Sequence, residues 1–548
     1  MKKYLYTAMA LLLLVSCQSK EQVPFFKKYD ESAELAAQQK HRNNRMKFKL
    51  LQSKYLDMNA VFKPFEKELS SFTELDYTNL KPLILEENIP NLQQKIKDGS
   101  LTYEKLTLFY LYRIRKFESD TTLYLNSIIA LNPEVLKEAR KKDEADKETI
   151  DDFSLFGMPI LLKDNINTKG MATTAGAIAL ANNSNTEDAF IVEKLKANGA
   201  LILGKVNLSE WAYFFCSGCP VGYSAVGGQT LNPYGRKIFE TGGSSAGSGV
   251  SVAANFAVAA VGTETSGSIT SPSSQNSVVG LKPTIGVLSR TGIVPISSTL
   301  DTPGPMTKNV IDNAIFFNAM LGYDAKDAAS VQKEIQPLQK GFELNIKGKR
   351  LGVLTSLLSD SIYNATVQKL KEAGATVIEV TPPSMRFNGF ISILNIDMKY
   401  DLPKYFKNEA DKSISFKKLE DVMAFNSKDS LLRMPYNQAL FDGILKDKTT
   451  LDELTEIKKN LNAEARNFLG ALSSENLDAI LSINNYHSSV SAASNHPTLT
   501  VPMGYKKSGE PISLTFIGSP FSERKLLEVG AAFENLTKVR QAPTNYND

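Results

Sequence analysis

The hydrophobic positions fall into two alternating rhythms. After Thr102, which is placed to cap a helix, Leu106, Tyr110, Ile114 and Phe117 recur at helical spacing and predict one apolar helix face. Met158 to Leu162 is a short unbroken apolar run between Gly157 and Asp164, the pattern of a buried strand. Thr186 stands where it would cap a helix carrying Glu187 and Asp188 in its first turn and Lys194 and Lys196 near its end, with Gly199 closing it. Leu201 to Leu203 then predicts a strand. The same grammar returns at Leu351 to Leu354, a helix to Ala373, a stop at Gly374 and a strand at Thr376 to Val380. The small residues from Val250 to Ala260 predict a tightly packed helix. Strands separated by helices predict an α/β protein with a largely parallel or mixed sheet.

The first residues follow neither rhythm. Lys2 and Lys3 precede an apolar stretch, Tyr4 to Val15, that is too short to span a bilayer comfortably and suits a signal sequence. It ends in Leu14-Val15-Ser16-Cys17, which resembles the bacterial lipobox. That resemblance implies a signal peptide over 1–17 and a diacylated Cys17, with the mature chain anchored in the bacterial cell envelope, on the periplasmic side or the cell surface. Residues 18–82 are rich in Lys, Glu, Gln and Leu and predict a helical or partly extended surface region. The body at 83–540 has no internal repeat and no long linker, so it is expected to be one catalytic domain.

Composition removes several function classes. The 548 residues suffice for a large buried core, with 42% hydrophobic and 22% charged residues. A net charge of +4, without a dense basic run, gives no footprint for nucleic acid. Besides Cys17, the cysteines are Cys216 and Cys219, in Cys-Ser-Gly-Cys. With three histidines in all (His41, His487, His496), none nearby in sequence, a metal site lacks ligands and no cofactor is called for. The cysteine pair is either a tight disulfide or two free thiols.

Three stretches carry candidate chemistry. Thr241-Gly-Gly-Ser-Ser-Ala-Gly-Ser248 crowds glycine and serine before an apolar run, without the Gly-Lys-Ser/Thr of a phosphate loop. In Gly262-Thr-Glu-Thr-Ser-Gly-Ser268-Ile269, glycine and small residues before a serine let several N–H groups point at one spot, as an oxyanion hole requires. In Phe156-Gly-Met-Pro-Ile-Leu-Leu-Lys163-Asp-Asn-Ile, a lysine ends an apolar strand.

Together these stretches resemble the amidase-signature family. Further likeness lies in Gly204-Lys-Val-Asn-Leu-Ser-Glu-Trp211, Gly227-Gly-Gln-Thr-Leu-Asn-Pro233, Gly280-Leu-Lys-Pro-Thr-Ile-Gly286 and Asp301-Thr-Pro-Gly-Pro-Met306, so the resemblance runs over about residues 83–535. It implies an α/β fold with a large mixed β-sheet core covered by helices on both faces. It also implies a Ser-Ser-Lys triad. Ser268 would be the nucleophile, Ser244 the bridging serine held through a cis peptide bond, and Lys163 the base. The backbone N–H groups of Thr265, Ser266, Gly267 and Ser268 would form the oxyanion hole. Ala246 and Ser266 depart from commoner residues, and Cys216 and Cys219 stand where relatives commonly have polar ones. Leu419 to Asn426 and Met434-Pro-Tyr436 resemble the peptide-amidase branch, which implies a small-molecule or peptide amide as substrate, such as a C-terminal peptide amide.

Three alternatives belong beside this reading. Gly243-Ser-Ser245-Ala-Gly247 fits the nucleophile elbow of α/β-hydrolases, with His487 and His496 downstream. Against it, the residues from Asn232 to Glu240, where a strand should precede the elbow, are polar and turn-like. A non-catalytic, amide-binding lipoprotein of the same fold is opposed by the presence of Lys163, Ser244 and Ser268. A glutaminase subunit acting on tRNA is opposed by the export signal.

Overall fold

A computed structural model describes residues 25–333 and 335–547; the lipobox and Cys17 lie outside them. Among the described residues thirteen strands form: β1 (Ile128–Leu131), β2 (Pro159–Lys163), β3 (Leu201–Val206), β4 (Tyr223–Ser224), β5 (Gly228–Gln229), β6 (Ala259–Glu264), β7 (Val279–Lys282), β8 (Thr302–Thr307), β9 (Arg350–Leu354), β10 (Thr376–Val380), β11 (Ala479–Ile483), β12 (Thr498–Tyr505) and β13 (Pro511–Ile517). Eleven of them make one sheet in the order β1-β3-β2-β6-β8-β7-β12-β13-β11-β9-β10, and β4 and β5 pair separately. The sheet is mixed. β2 runs parallel to both β3 and β6, and β9 parallel to β10 and β11, while β8, β7, β12 and β13 join antiparallel. Helices pack against it, so every residue of β2, β3 and β6 is buried.

The predicted strands at 158–162, 201–203, 351–354 and 376–380 form within a residue or two at most boundaries; β3 runs further, to Val206. The helix Tyr103–Glu118 is capped by Thr102, whose hydroxyl accepts the Lys105 N–H at 3.1 Å, and it buries Leu106, Tyr110, Ile114 and Phe117. Two expectations change. Thr186 does not cap the next helix, which begins at Phe190. There the Ala189 and Phe190 N–H groups donate to Asn167 O and Thr291 O, so neighbouring backbone satisfies the helix start in place of a threonine. The run Val250 to Ala260 is not one helix. The helix Ala246–Ala253 ends, Asn255 turns the chain at φ 56°, and the rest enters the sheet as β6.

The 18–82 region is more than surface. Within it, Met46, Phe48, Leu51, Phe62, Phe65 and Leu69 join the same buried cluster as β2, β3 and β6. Its helices Met58–Phe62, Glu66–Ser71 and Glu74–Ile84 bury Phe62, Leu69, Tyr77, Leu80 and Ile84 and leave Glu66, Lys67 and Glu74 outside. Among the described residues no helix is long and apolar enough to cross a membrane.

Candidate active site

The site forms where parallel strands end together. β2 and β6 point the same way, so Lys163 at the end of β2 and the loop after Glu264 open on one edge of the sheet, outside the carboxyl ends where open α/β sheets place their ligands. The lysine is fully buried. Its Nζ lies 2.8 Å from Ser244 Oγ, 2.8 Å from Thr263 Oγ1 and 3.1 Å from Thr263 O, and none of these acceptors is a carboxylate. Burial pushes the ammonium down to about 7, against the more distant Asp301 and Glu264 carboxylates, which favour the charged form.

Ser244 follows the cis peptide bond Gly243–Ser244. Its carbonyl accepts the Ser209 N–H at 3.0 Å, and the next residue's N–H, on Ser245, donates to Ser268 O at 3.2 Å. The serine-glycine stretch is thereby stitched to the loop after β6. The helix that starts at Ala246 can approach the backbone just after β3 closely because Gly247 has no side chain; a Cβ there would sit 2.3 Å from Asn207 O.

Thr265, Ser266, Gly267 and Ser268 line a cavity of about 350 Å³, together with Tyr213, Phe214, Leu394 and Asn485 among others. Gly267 takes φ 89°, a conformation that L side chains rarely adopt, so the turn presenting Ser268 needs glycine. Glu264 holds that turn from behind. Its Oε2 accepts the Ile269 N–H (2.7 Å), the Thr270 N–H (2.9 Å) and the Thr270 hydroxyl (2.7 Å).

The arrangement thus brings together Lys163 and Ser244 in direct contact, with Ser268 tied in through backbone and exposed to the cavity. Several contributors were not foreseen. Thr263 and Glu264 stand inside the nucleophile stretch but gave no signal separating them from strand residues. Asp301 lies in a stretch noted above, yet its part is visible only in three dimensions. It accepts the Thr265 hydroxyl at 2.6 Å and the Ile296 and Ser297 N–H groups at 2.8 and 2.9 Å, and burial raises its carboxyl to about 6.

The elbow residues are employed elsewhere. Ser245 Oγ accepts the Thr263 N–H at 3.2 Å and donates to Thr263 O at 3.1 Å, which fastens it to β6. His487 pairs with Ser482 at 2.7 Å and lies tilted beside the Phe468 ring, while His496 Nδ1 meets Ser494 O at 3.0 Å. Burial lowers both imidazoles, His496 to about 4. Cys216 and Cys219 form a disulfide that packs with Tyr223 and Tyr436. Among the described residues, no group of three or more His, Cys, Asp and Glu is placed to hold a metal ion.

A buried lysine–serine contact, a second serine in a cavity and an eleven-stranded mixed sheet describe an amide hydrolase of the α/β class, and comparison with known proteins agrees. The pattern that defines the amidase family matches residues 105–485. A probable amidase of Arabidopsis thaliana is 37% identical over 486 residues, covering 84% of this chain and 92% of its own. The structure of an amidase family protein from Bacillus anthracis str. Ames superposes with a TM-score of 0.85 at 36% identity, covering 90% of this chain and 99% of that one. Native peptide amidase from Stenotrophomonas maltophilia gives a TM-score of 0.77 at 35% identity, covering 84% and 98%. The chain belongs to the amidase family and is an enzyme that hydrolyses amides.

Proposed function

We propose that this enzyme cleaves a carboxamide through an acyl-enzyme on Ser268, with Ser244 and Lys163 as its proton relay, and that its substrate is a peptide carrying a C-terminal amide. The observation that carries the relay is the fully buried Lys163 amine at 2.8 Å from Ser244 Oγ. A serine hydroxyl needs a base to attack at neutral pH, and a lysine serves only when neutral. As a neutral amine, Lys163 donates toward Thr263 and turns its lone pair to the Ser244 hydroxyl. Ser244 passes its proton to Lys163 and takes one from Ser268, whose oxygen bonds to the amide carbon. The oxyanion is met by backbone N–H groups of Thr265, Ser266, Gly267 and Ser268. The proton returns through the relay to the leaving nitrogen, the C–N bond breaks and ammonia departs. Water then adds to the acyl ester by the same relay and releases the acid.

Support for a peptide substrate is the likeness to the Stenotrophomonas maltophilia peptide amidase. The expected test result is covalent labelling of Ser268 by a fluorophosphonate, lost in Ser268→Ala, with ammonia release from peptide amides exceeding that from glutamine and simple acyl amides. Labelling at Ser245 instead, lost in Ser245→Ala, would overturn the relay. Faster release from acyl amides would overturn the substrate. The same reading places the enzyme in the cell envelope through a diacylated Cys17; two acyl chains give stable attachment. Cys17→Ala should move the protein from the membrane fraction to the soluble one, and a mature chain that begins beyond Cys17 would exclude the anchor.

A further inference from the structure

The cavity that holds Ser268 has a wall from outside the segment matched to the family. Residues 38–49 run as a strap over the loop 237–240 and on to Pro435 and Tyr436. Gln38 Nε2 donates to Lys237 O (2.9 Å) and Asn43 Nδ2 to Glu240 Oε1 (2.6 Å). The Lys49 N–H donates to Tyr436 Oη (2.6 Å) and Lys49 Nζ to Pro435 O (2.8 Å). Met46 and Phe48, 3% and 1% exposed, plug the strap into the core. The short 3₁₀ turn Asn44–Met46 sits between these attachments, and its middle residue, Arg45, lines the cavity.

Arg45 and Glu240 are the charged side chains among the described residues that line this cavity, and they contact each other, Nε to Oε1, at 3.0 Å. Their situations differ. The Glu240 side chain is 16% exposed and its Oε1 is shared with Asn43, whereas the Arg45 side chain is 47% exposed. A guanidinium carries five N–H donors in a planar fork; the Glu240 contact takes the Nε side, and the Tyr213 hydroxyl also interacts with the guanidinium. The carboxylate is therefore largely covered, while the arginine side chain stays half exposed at the cavity wall, with donors left beyond those facing Glu240 and Tyr213.

We propose that Arg45 is a specificity-determining residue, favouring amide substrates whose acyl part carries a carboxylate and disfavouring those that carry an ammonium. This rests on the amide-cleaving reading of Ser268 given above. A substrate carboxylate gains a charge-assisted contact with the fork, and a substrate lysine meets a like charge at the same wall. Because the strap lies before residue 105, where the family match begins, this preference belongs to the N-terminal region and not to the catalytic strands.

The test is a set of blocked peptide amides that differ only in carrying Glu, Gln or Lys at each of the last positions before the amide. Wild-type enzyme is expected to favour Glu over Lys by roughly tenfold in kcat/KM at the responsive position, the size of one half-exposed ion pair gained and one like-charge contact avoided, with most of it in KM. The preference should shrink as salt rises. Arg45→Gln should flatten it and Arg45→Glu should reverse it, while turnover of the Gln peptide reports that each variant remains folded. Arg42→Ala, at an exposed strap residue that does not line the cavity, should leave it unchanged. Equal rates for the three peptides in the wild type, or a preference that survives in Arg45→Glu, overturns this proposal. Failure of the wild type to release ammonia from any of them overturns the substrate reading instead.

Discussion

Replacing Lys163 by methionine keeps a long side chain in the cleft and removes the titrating amine. With the amine held near 7, about 9% of it is neutral at pH 6, about half at pH 7 and about 91% at pH 8. The wild-type kcat/KM should therefore climb about tenfold from pH 6 to pH 8 and then level off. Lys163→Met should lose this limb together with a factor of roughly 10² to 10⁴ in rate, the range contributed by a positioned base. Stability should move the other way. The folded-state value lies below the unfolded one, near 10.4, so the unfolded chain binds more protons between pH 7 and 10.4 and stability rises with pH across that window. At and below pH 7 the buried ammonium costs about 5 kcal/mol, less what its contacts with Ser244 and Thr263 return. Lys163→Met should thus resist urea better than wild type at pH 6, with the advantage shrinking toward pH 10. Steady-state kinetics on one peptide amide from pH 5 to 9, with urea melts at the same values, measures both. A Lys163→Met enzyme that keeps the limb, or a limb that vanishes when His487 or His496 is replaced, refutes the argument.

Asp301→Asn removes the carboxylate that most favours the charged lysine, so the acidic limb of kcat/KM should shift to lower pH; a shift to higher pH, read from the same profiles, would contradict the electrostatic account. The Ser245 hydroxyl makes two contacts with the β6 backbone and none with the relay. Ser245→Ala should therefore cost about 1 to 3 kcal/mol in denaturant melts while fluorophosphonate labelling persists. Replacing both Cys216 and Cys219 by serine opens a very short loop and should lower stability by about 2 kcal/mol. An equal melt for the variant and the wild type under non-reducing conditions would mean that the bond contributes nothing.

Much of this protein was legible in its sequence. Short apolar runs gave β2 and β9, because a strand buried on both faces must be apolar nearly throughout, whereas β10, at the sheet edge, keeps Thr376 and Glu379 exposed. The glycine and serine stretches marked a site, because tight turns and close backbone approach require small residues at Gly247 and Gly267. Helix boundaries were less secure. Thr186 carries a cap residue's chemistry, yet the helix starts at Phe190, where the backbone of Asn167 and Thr291 supplies the acceptors. The sequence singled out Lys163 only through the family resemblance; the surroundings that set it apart from the other buried lysines are a property of the tertiary structure. Lys163, Lys205, Lys282 and Lys308 are all buried at or beside strand ends. Lys205 faces Asp164 at 3.4 Å, Lys282 donates to Pro283 O and Lys308 to Asn255, whereas Lys163 faces a serine hydroxyl. Likewise nothing local distinguished Arg45 from the other basic residues of its polar segment; its place beside Glu240 depends on where the strap crosses the body. Hydrophobic periodicity is a local property, written in neighbouring residues. Desolvation and long-range contact exist only once the core has brought distant segments together, and on them depend the lysine's protonation and the arginine's position.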